Sequence, residues 1–166
     1  MKIPLFIFIC LILLALVQTV YFYPLLPEVV ASHFNGAGNA DGWSSRNGFF
    51  AIHLGITALL FVLFGAINLM FGKLPDSWWN LPHKQYWLAP ERRETTIRRM
   101  RSQMLWFGII SMLLELGVIQ LAIQANLDQT GRLADGILWA IGAYVLLSTI
   151  WAVALIRSFS LPKRSL

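Results

Sequence analysis

The sequence has few charged residues and a single cysteine. Charged side chains make up 13% of the 166 residues, whereas 57% of the residues are hydrophobic. A soluble domain carries more charge on its surface, so this composition excludes an ordinary soluble globular protein. With Cys10 as its only cysteine, the chain has no intrachain disulfide, and we expect no redox chemistry.

Signatures of other protein classes are missing as well. The first apolar run has about 20 residues, longer than the signal-peptide core, and no small-residue cleavage site follows, so we predict a retained signal anchor. The net charge of +5 comes without a nucleic-acid-binding motif, so no nucleic-acid partner is predicted. Ser32, Ser44 and Ser45 lack the spacing of a nucleophile elbow or a triad. The sequence therefore does not favour an enzyme, and we predict no cofactor.

Four apolar runs are long enough to cross a bilayer, which takes about 20 residues per helix. We predict spans over residues 3–23, 49–71, 104–125 and 136–156, within one domain of residues 1–166. The predicted fold class is therefore an all-α integral membrane protein with four transmembrane helices.

The positive charges predict the orientation, because cytoplasmic loops retain Lys and Arg. All of the 13 Lys and Arg residues except Arg46 and Arg132 lie on one side of the predicted spans. We therefore expect both termini and the segment between the second and third spans to be cytoplasmic. Residues 24–48 and 126–135 are expected to be external.

The external loop of residues 24–48 contains many polar side chains. Residues 28–34 fit either one turn of helix or a short extended run, and the Gly- and Asn-rich residues 35–42 predict a tight fold-back. We predict that this folded loop recognises a ligand or a partner. The residues that we assign to recognition are His33, Asn35, Gly38, Asp41, Trp43 and Arg46.

Two other interpretations of the same loop remain open. In the first, its polar residues only hold the loop together: Asp41 caps a turn and pairs with Arg46, while His33 bonds to the backbone. In the second, His33, Asp41 and His53 converge on a divalent metal, because imidazole and carboxylate groups suit zinc and related ions.

Glu115 lies near the middle of the third predicted span, where a carboxylate is unfavourable and marks a functional site by default. Ser111 lies one turn earlier, and Ser148 and Thr149 lie at comparable depth on the fourth span. Two interpretations remain: a hydrogen-bonded acid that fixes helix packing, or proton or cation handling within the bundle.

The predicted cytoplasmic segment has an aromatic part and a basic part. Residues 75–87 have the aromatic enrichment of a membrane-interface belt. A helix is predicted to begin at Pro90 and to run into the third span, with Glu94 and Arg98 as an i,i+4 pair. Its cations either only set the topology or bind anionic lipids or a protein partner; they are Arg92, Arg93, Arg98, Arg99 and Arg101.

Several residues of the external loop resemble a known family. Leu26-Pro27, His33-Phe34-Asn35, Gly38, Asp41-Gly42 and Arg46 are similar to the bacterial membrane family called domain of unknown function 1648 (DUF1648). Asn80–Arg93 resembles a second block of that family, so the resemblance covers roughly the first two-thirds of the chain.

The resemblance implies a bacterial plasma-membrane protein. The same domain forms the N-terminal part of the larger SdpI-like proteins, which implies recognition, immunity or signal relay. The alternative function is a small transporter or proton-coupled subunit that uses Glu115. The sequence predicts no oligomeric state.

Overall fold

The computed structural model describes residues 2–161, and most of these residues are helical. The helices are α1 (Lys2–Phe22), α2 (Arg46–Met70), α3 (Lys84–Trp87), α4 (Pro90–Leu127) and α5 (Gly136–Ser158). By length and composition, α1, α2, α4 and α5 can cross a membrane, which confirms the four predicted membrane helices. Lys163 and Arg164, two of the cations in the charge argument, lie outside the described residues.

The helix ends follow from local sequence. Helix α2 begins at Arg46, three residues before the predicted span, because the Ser45 hydroxyl accepts a hydrogen bond from the Gly48 backbone N–H at 3.1 Å. Helix α4 begins at Pro90 and runs unbroken for 38 residues, as predicted. At a rise of 1.5 Å per residue α4 is about 57 Å long, well beyond the apolar thickness of a bilayer.

The all-α class is wrong for the loop between α1 and α2. Two antiparallel strands, β1 (Val29–Phe34) and β2 (Ala40–Ser45), form a hairpin there. Of the two alternatives for residues 28–34, the extended run is the one that the chain adopts. The adjacent β-branched residues Val29 and Val30 favour a strand, and the residues of the following turn bring β2 back alongside it.

Helix α4 lies at the centre of the bundle, with α1, α2 and α5 packed against it. Helix α5 packs chiefly on α4 and has no buried residue, so it lies at the periphery. Where α1 and α2 approach α4, Gly108 provides the space: a Cβ at this position would lie 3.0 Å from ring atoms of both Phe8 and Phe64.

Three apolar clusters follow one another along α4. The first, at what we call the hairpin end, where the strands and residues 128–135 meet the bundle, contains Leu26, Val30, Phe49, Phe50, Ala122 and Ile123. The middle cluster contains Phe8, Ala15, Phe64, Leu105, Ile109, Met112 and Leu116. The third, at the opposite or basic end, contains Trp79, Leu88, Ile97, Met100 and Phe159.

The aromatic segment of residues 75–87 contributes to the core more than its composition predicts. Trp79 is buried, and the Trp87 indole N–H donates to the Phe159 carbonyl at 2.7 Å. Trp78 is largely exposed. Two of the tryptophans expected at the membrane interface are therefore packing residues of the basic end.

Candidate functional site

The hairpin presents a histidine–aspartate pair on its exposed face. His33 Nδ1 and Asp41 Oδ1 lie 2.5 Å apart, and their side chains are 74% and 43% exposed. Trp43, two positions after Asp41 on β2, is also exposed. We call His33, Asp41 and Trp43 the hairpin surface.

Three other residues of the hairpin give it its shape. The Asn35 side-chain oxygen accepts hydrogen bonds from the backbone N–H groups of Ala37 and Asn39, at 3.0 and 3.1 Å. Gly38 has a φ of +79°, which a side chain would strain. At Gly42 a Cβ would lie only 2.9 Å from the His33 Cβ, so glycine lets His33 lie directly across the hairpin. Asn35 and Gly38 are thus turn residues rather than contact residues.

Asn126 fixes the hairpin to the end of α4. Its side-chain oxygen accepts from the Ala31 N–H at 2.7 Å, and its amide nitrogen donates to the Ala31 carbonyl at 2.9 Å. The turn is held from a second direction, because the Leu133 N–H donates to the Gly38 carbonyl at 2.8 Å. Val30 is fully buried in the cluster beneath. The hairpin surface therefore sits on a firmly anchored support.

Arg46 is not part of the hairpin surface. Its guanidinium donates to the Leu26 carbonyl at 2.8 Å and lies over the Tyr23 ring, with its central carbon 4.6 Å from the ring centroid. The alternative in which Asp41 pairs with Arg46 while His33 bonds to the backbone is wrong, because Asp41 is bonded to His33 instead. Of the six predicted recognition residues, three form the exposed surface and three shape or anchor the loop.

His33, Asp41 and His53 do not meet. Among residues 2–161 no group of three or more His, Cys, Asp or Glu side chains is placed to hold a metal ion. His33 and Asp41 pair on the exposed hairpin, whereas His53 is turned into the bundle. The alternative in which these three residues converge on a metal is therefore wrong.

The partner of His53 is Glu115, deep in the bundle. His53 Nδ1 and Glu115 Oε1 lie 2.6 Å apart, and their side chains are 0% and 8% exposed. The Thr57 hydroxyl lies 3.0 Å from the same Glu115 oxygen and 3.1 Å from the His53 carbonyl. Because it has one proton, Thr57 donates to one of these two acceptors at a time.

Two atoms of this cluster have no hydrogen-bond partner in the structure. His53 Nε2 and Glu115 Oε2 are both enclosed and unpaired. When the pair holds two protons in total on its Nδ1, Nε2 and carboxylate positions, its net charge is zero. Loss of one proton leaves a net negative charge enclosed in an apolar bundle, which is strongly unfavourable without compensation.

Sequence reasoning selected Glu115 but missed Thr57 and assigned the wrong partners to His53. The positions of Thr57 and Glu115 along their helices indicate that the two residues lie at the same depth in the bundle. Thr57 lies eleven positions into α2, and Glu115 lies twelve positions before the end of α4. The start of α2 and the end of α4 both lie at the hairpin end. At a rise of 1.5 Å per residue, the Thr57 and Glu115 side chains therefore lie at nearly the same level along the bundle. His53 is one turn before Thr57 on the same helix face.

The other polar residues predicted near Glu115 do not join it through hydrogen bonds. The Ser111 hydroxyl donates to the Phe107 carbonyl and the Thr149 hydroxyl to the Val145 carbonyl, each within its own helix. The Ser148 hydroxyl is enclosed without a partner on the peripheral helix α5. Ser111 does line the same groove as Glu115, at the junction of α2, α4 and α5.

The cations at the start of α4 make contacts within the protein. Three engage neighbouring groups of the basic end: Arg92 stacks on Tyr86, Arg93 pairs with Asp76, and Arg99 donates to the Ser158 carbonyl. The fourth, Arg98, lies 3.2 Å from Glu94 one turn earlier on the same helix, as predicted. The fifth, Arg101, has an enclosed Nε without a hydrogen-bond partner among residues 2–161. Binding of anionic lipid or a partner by these residues stays a prediction.

Comparison with known proteins identifies one domain. Residues 10–57 match the family described as Domain of unknown function (DUF1648), which confirms the resemblance over that segment. The match includes most of α1, the whole hairpin, and α2 as far as Thr57. The predicted second block, Asn80–Arg93, lies outside it. No curated protein and no solved structure matches the chain.

Proposed function

We propose that this chain, whose residues 10–57 match DUF1648, is a multi-pass membrane protein that recognises a peptide or protein partner through its hairpin surface. It lies in the plasma membrane of a bacterium, with the hairpin end outside and both termini in the cytoplasm. The strong excess of Lys and Arg at the basic end supports this orientation. Its role is non-catalytic.

The single observation that carries this proposal is the anchored, outward-facing His33–Asp41 pair. Its two polar groups and the exposed Trp43 ring lie on a two-stranded support that Asn126 ties to α4. A fixed support reduces the entropy lost on binding. Tryptophan is enriched among the residues that dominate protein interfaces.

The continuity of α4 supports a relay or immunity role. One unbroken helix joins Asn126, which holds the hairpin, to the arginine-rich stretch at the basic end. A partner bound at the hairpin surface biases the position of α4, and the basic end presents that change to the cytoplasm. In an immunity role, the ligand that the hairpin surface recognises is a bacteriocin peptide.

Orientation is tested by labelling single cysteines in intact cells. In a Cys10→Ser background, one variant carries Ala37→Cys in the hairpin turn and another carries Ser77→Cys at the basic end. A membrane-impermeant maleimide should label the first variant in intact cells and the second only after permeabilisation. The opposite pattern would refute the orientation.

Recognition is tested by a photoreactive amino acid placed at Trp43. We expect one defined cross-linked partner, and we expect it to disappear when His33→Ala or Asp41→Ala is added. Asn39→Ala, an exposed change on the same hairpin, serves as the matched control and should leave the adduct intact. An adduct that survives both His33→Ala and Asp41→Ala would exclude the hairpin surface as the recognition site.

A second proposed function is a proton-coupled transporter or subunit centred on Glu115. The enclosed His53–Glu115 pair supports it, because two of its atoms lack partners although the bundle around them is apolar. The test is proton flux into liposomes containing the purified protein. Glu115→Gln should abolish flux while the protein stays folded, and wild-type flux in that variant would argue against the function.

A further inference from the structure

A pocket of about 410 Å³ lies at the base of the hairpin, where α1 ends and α2 begins. Its position at the ends of two membrane-length helices places it at the level of the lipid head groups when the helices cross a bilayer. Its walls combine charged, polar and apolar side chains: Tyr23, Glu28, Val29, Ser45, Arg46 and Asn47.

Two opposite charges line this pocket without meeting each other. Within the described residues, the Arg46 guanidinium has no carboxylate within 4 Å, and its Nε is enclosed without a hydrogen-bond partner. The Glu28 side chain is exposed and has no hydrogen-bond partner in the described part of the chain, whereas its backbone carbonyl accepts from the Arg46 N–H at 2.8 Å. Contacts with Leu26 and Tyr23 hold the guanidinium in place. A molecule with an anionic and a cationic group side by side can satisfy both residues at once.

The surface around the pocket is apolar. Tyr23, Leu25 and Val29 are all among the large hydrophobic side chains that remain exposed. Exposed aliphatic and tyrosine side chains next to a charged pocket match a ligand that has hydrocarbon chains attached to a charged head. This combination favours a lipid over a water-soluble zwitterion.

We propose that the pocket binds the head group of a phospholipid that carries both a phosphate and a primary ammonium, as phosphatidylethanolamine does. The phosphate accepts hydrogen bonds from the Arg46 guanidinium. The ammonium donates to the Glu28 carboxylate, and the acyl chains lie along the exposed apolar side chains. Glu28 disfavours a purely anionic lipid, and a choline head group has no N–H to donate.

The test uses the full chain, purified in mild detergent and stripped of lipid. Native mass spectrometry then measures binding of three phospholipids that share the same acyl chains and carry ethanolamine, choline or glycerol head groups. We expect the ethanolamine lipid to bind best. Arg46→Gln should weaken its binding by at least about tenfold, the loss expected for a charge-assisted hydrogen bond. Glu28→Gln should remove the preference for ethanolamine over glycerol, because only the ammonium contact is lost.

Control variants separate this site from a general charge effect. Arg132→Gln and Asp128→Asn change charges at the same end of the bundle but outside the pocket, so both should bind like the wild type. Arg46→Lys should recover part of the affinity lost in Arg46→Gln, since it restores the positive charge. Free phosphoethanolamine should compete with the lipid, because it carries the head group alone.

Three results would overturn the assignment. They are equal binding of the three lipids, an ethanolamine preference that survives Glu28→Gln, and control variants as weak as Arg46→Gln. No partner protein takes part in this assay, so its outcome is independent of the recognition proposed for the hairpin surface.

Discussion

Replacing Asn126 by alanine should detach the hairpin from α4 while the four long helices stay in place. Ala31 is only 5% exposed, and the Asn126 side chain is the partner of both its N–H, at 2.7 Å, and its carbonyl, at 2.9 Å. A buried polar group left without a partner costs about 1–3 kcal/mol, so two such groups give about 2–6 kcal/mol. This free energy is lost locally, because the change does not touch the apolar clusters.

Hydrogen exchange of the full-length protein in detergent, read by mass spectrometry over residues 29–34, measures this loss. At the lower limit of 2 kcal/mol, β1 should exchange about 30-fold faster than in the wild type. Peptides from the middle of α4 should be unaffected. The Asn126 amide nitrogen donates to the Ala31 and Ala122 carbonyls, at 2.9 and 2.8 Å. Asn126→Asp should be as damaging as alanine, because its carboxylate accepts from the Ala31 N–H but cannot donate to these two carbonyls.

The matched control is Gln124→Ala, two positions away on the same helix. Its exposed side chain makes no hydrogen bond within residues 2–161, so the exchange of β1 should not change. If β1 exchanges at the wild-type rate in Asn126→Ala, or equally fast in Gln124→Ala, the amide of Asn126 is not what holds the hairpin.

Three further predictions concern stability, measured as unfolding in detergent. Gly42→Ala puts a Cβ 2.9 Å from the Cβ across the hairpin and should cost about 1–3 kcal/mol; an unchanged stability would contradict the tight cross-strand approach. Gly108→Ala should destabilise the protein by a similar amount, about 1–3 kcal/mol. The control Gly117→Ala has open space around the added Cβ and should be neutral or stabilising. Equal effects of the two changes would refute the packing argument. His53→Leu and Glu115→Leu should each lower the free energy of unfolding by about 3–5 kcal/mol, and the double variant should lower it by less than the sum of the two. Strict additivity would mean that His53 and Glu115 are not coupled.

The membrane helices were predictable because their signal is long and continuous. Apolar runs of bilayer length leave few alternatives, and Pro90 marked the start of α4 at the residue where the helix begins. The hairpin was harder, because residues 28–34 are too few for periodicity to separate a strand from a helical turn. The packing of Trp79 and Trp87 was not predicted, because a tryptophan at a membrane surface and one in a core have the same local sequence features. The position of their segment at the membrane interface stays a prediction.

The partners within the candidate sites could not be predicted from local spacing. His33 and Asp41 are eight residues apart and pair only because the hairpin has bulges around His33, which sets the register. His53 and Glu115 are 62 residues apart and meet only through the packing of α2 on α4. A polar residue inside an apolar span could be identified as unusual, but its partner depends on tertiary structure.

The central position of α4 has a consequence for the order in which the protein assembles during synthesis. Within residues 2–161, three polar groups of the first half of the chain have their partners on α4. The amide of Gln18 bonds to Gln120, the ring of His53 to Glu115, and the backbone of Ala31 to Asn126. Until α4 is inserted, α1 and α2 lie in the bilayer with Gln18 and His53 unpaired, and the hairpin lacks its tie to Asn126. The late helix thus selects the correct arrangement of the early ones, and a nascent chain that ends before Pro90 should be recognised by membrane quality control as unfinished.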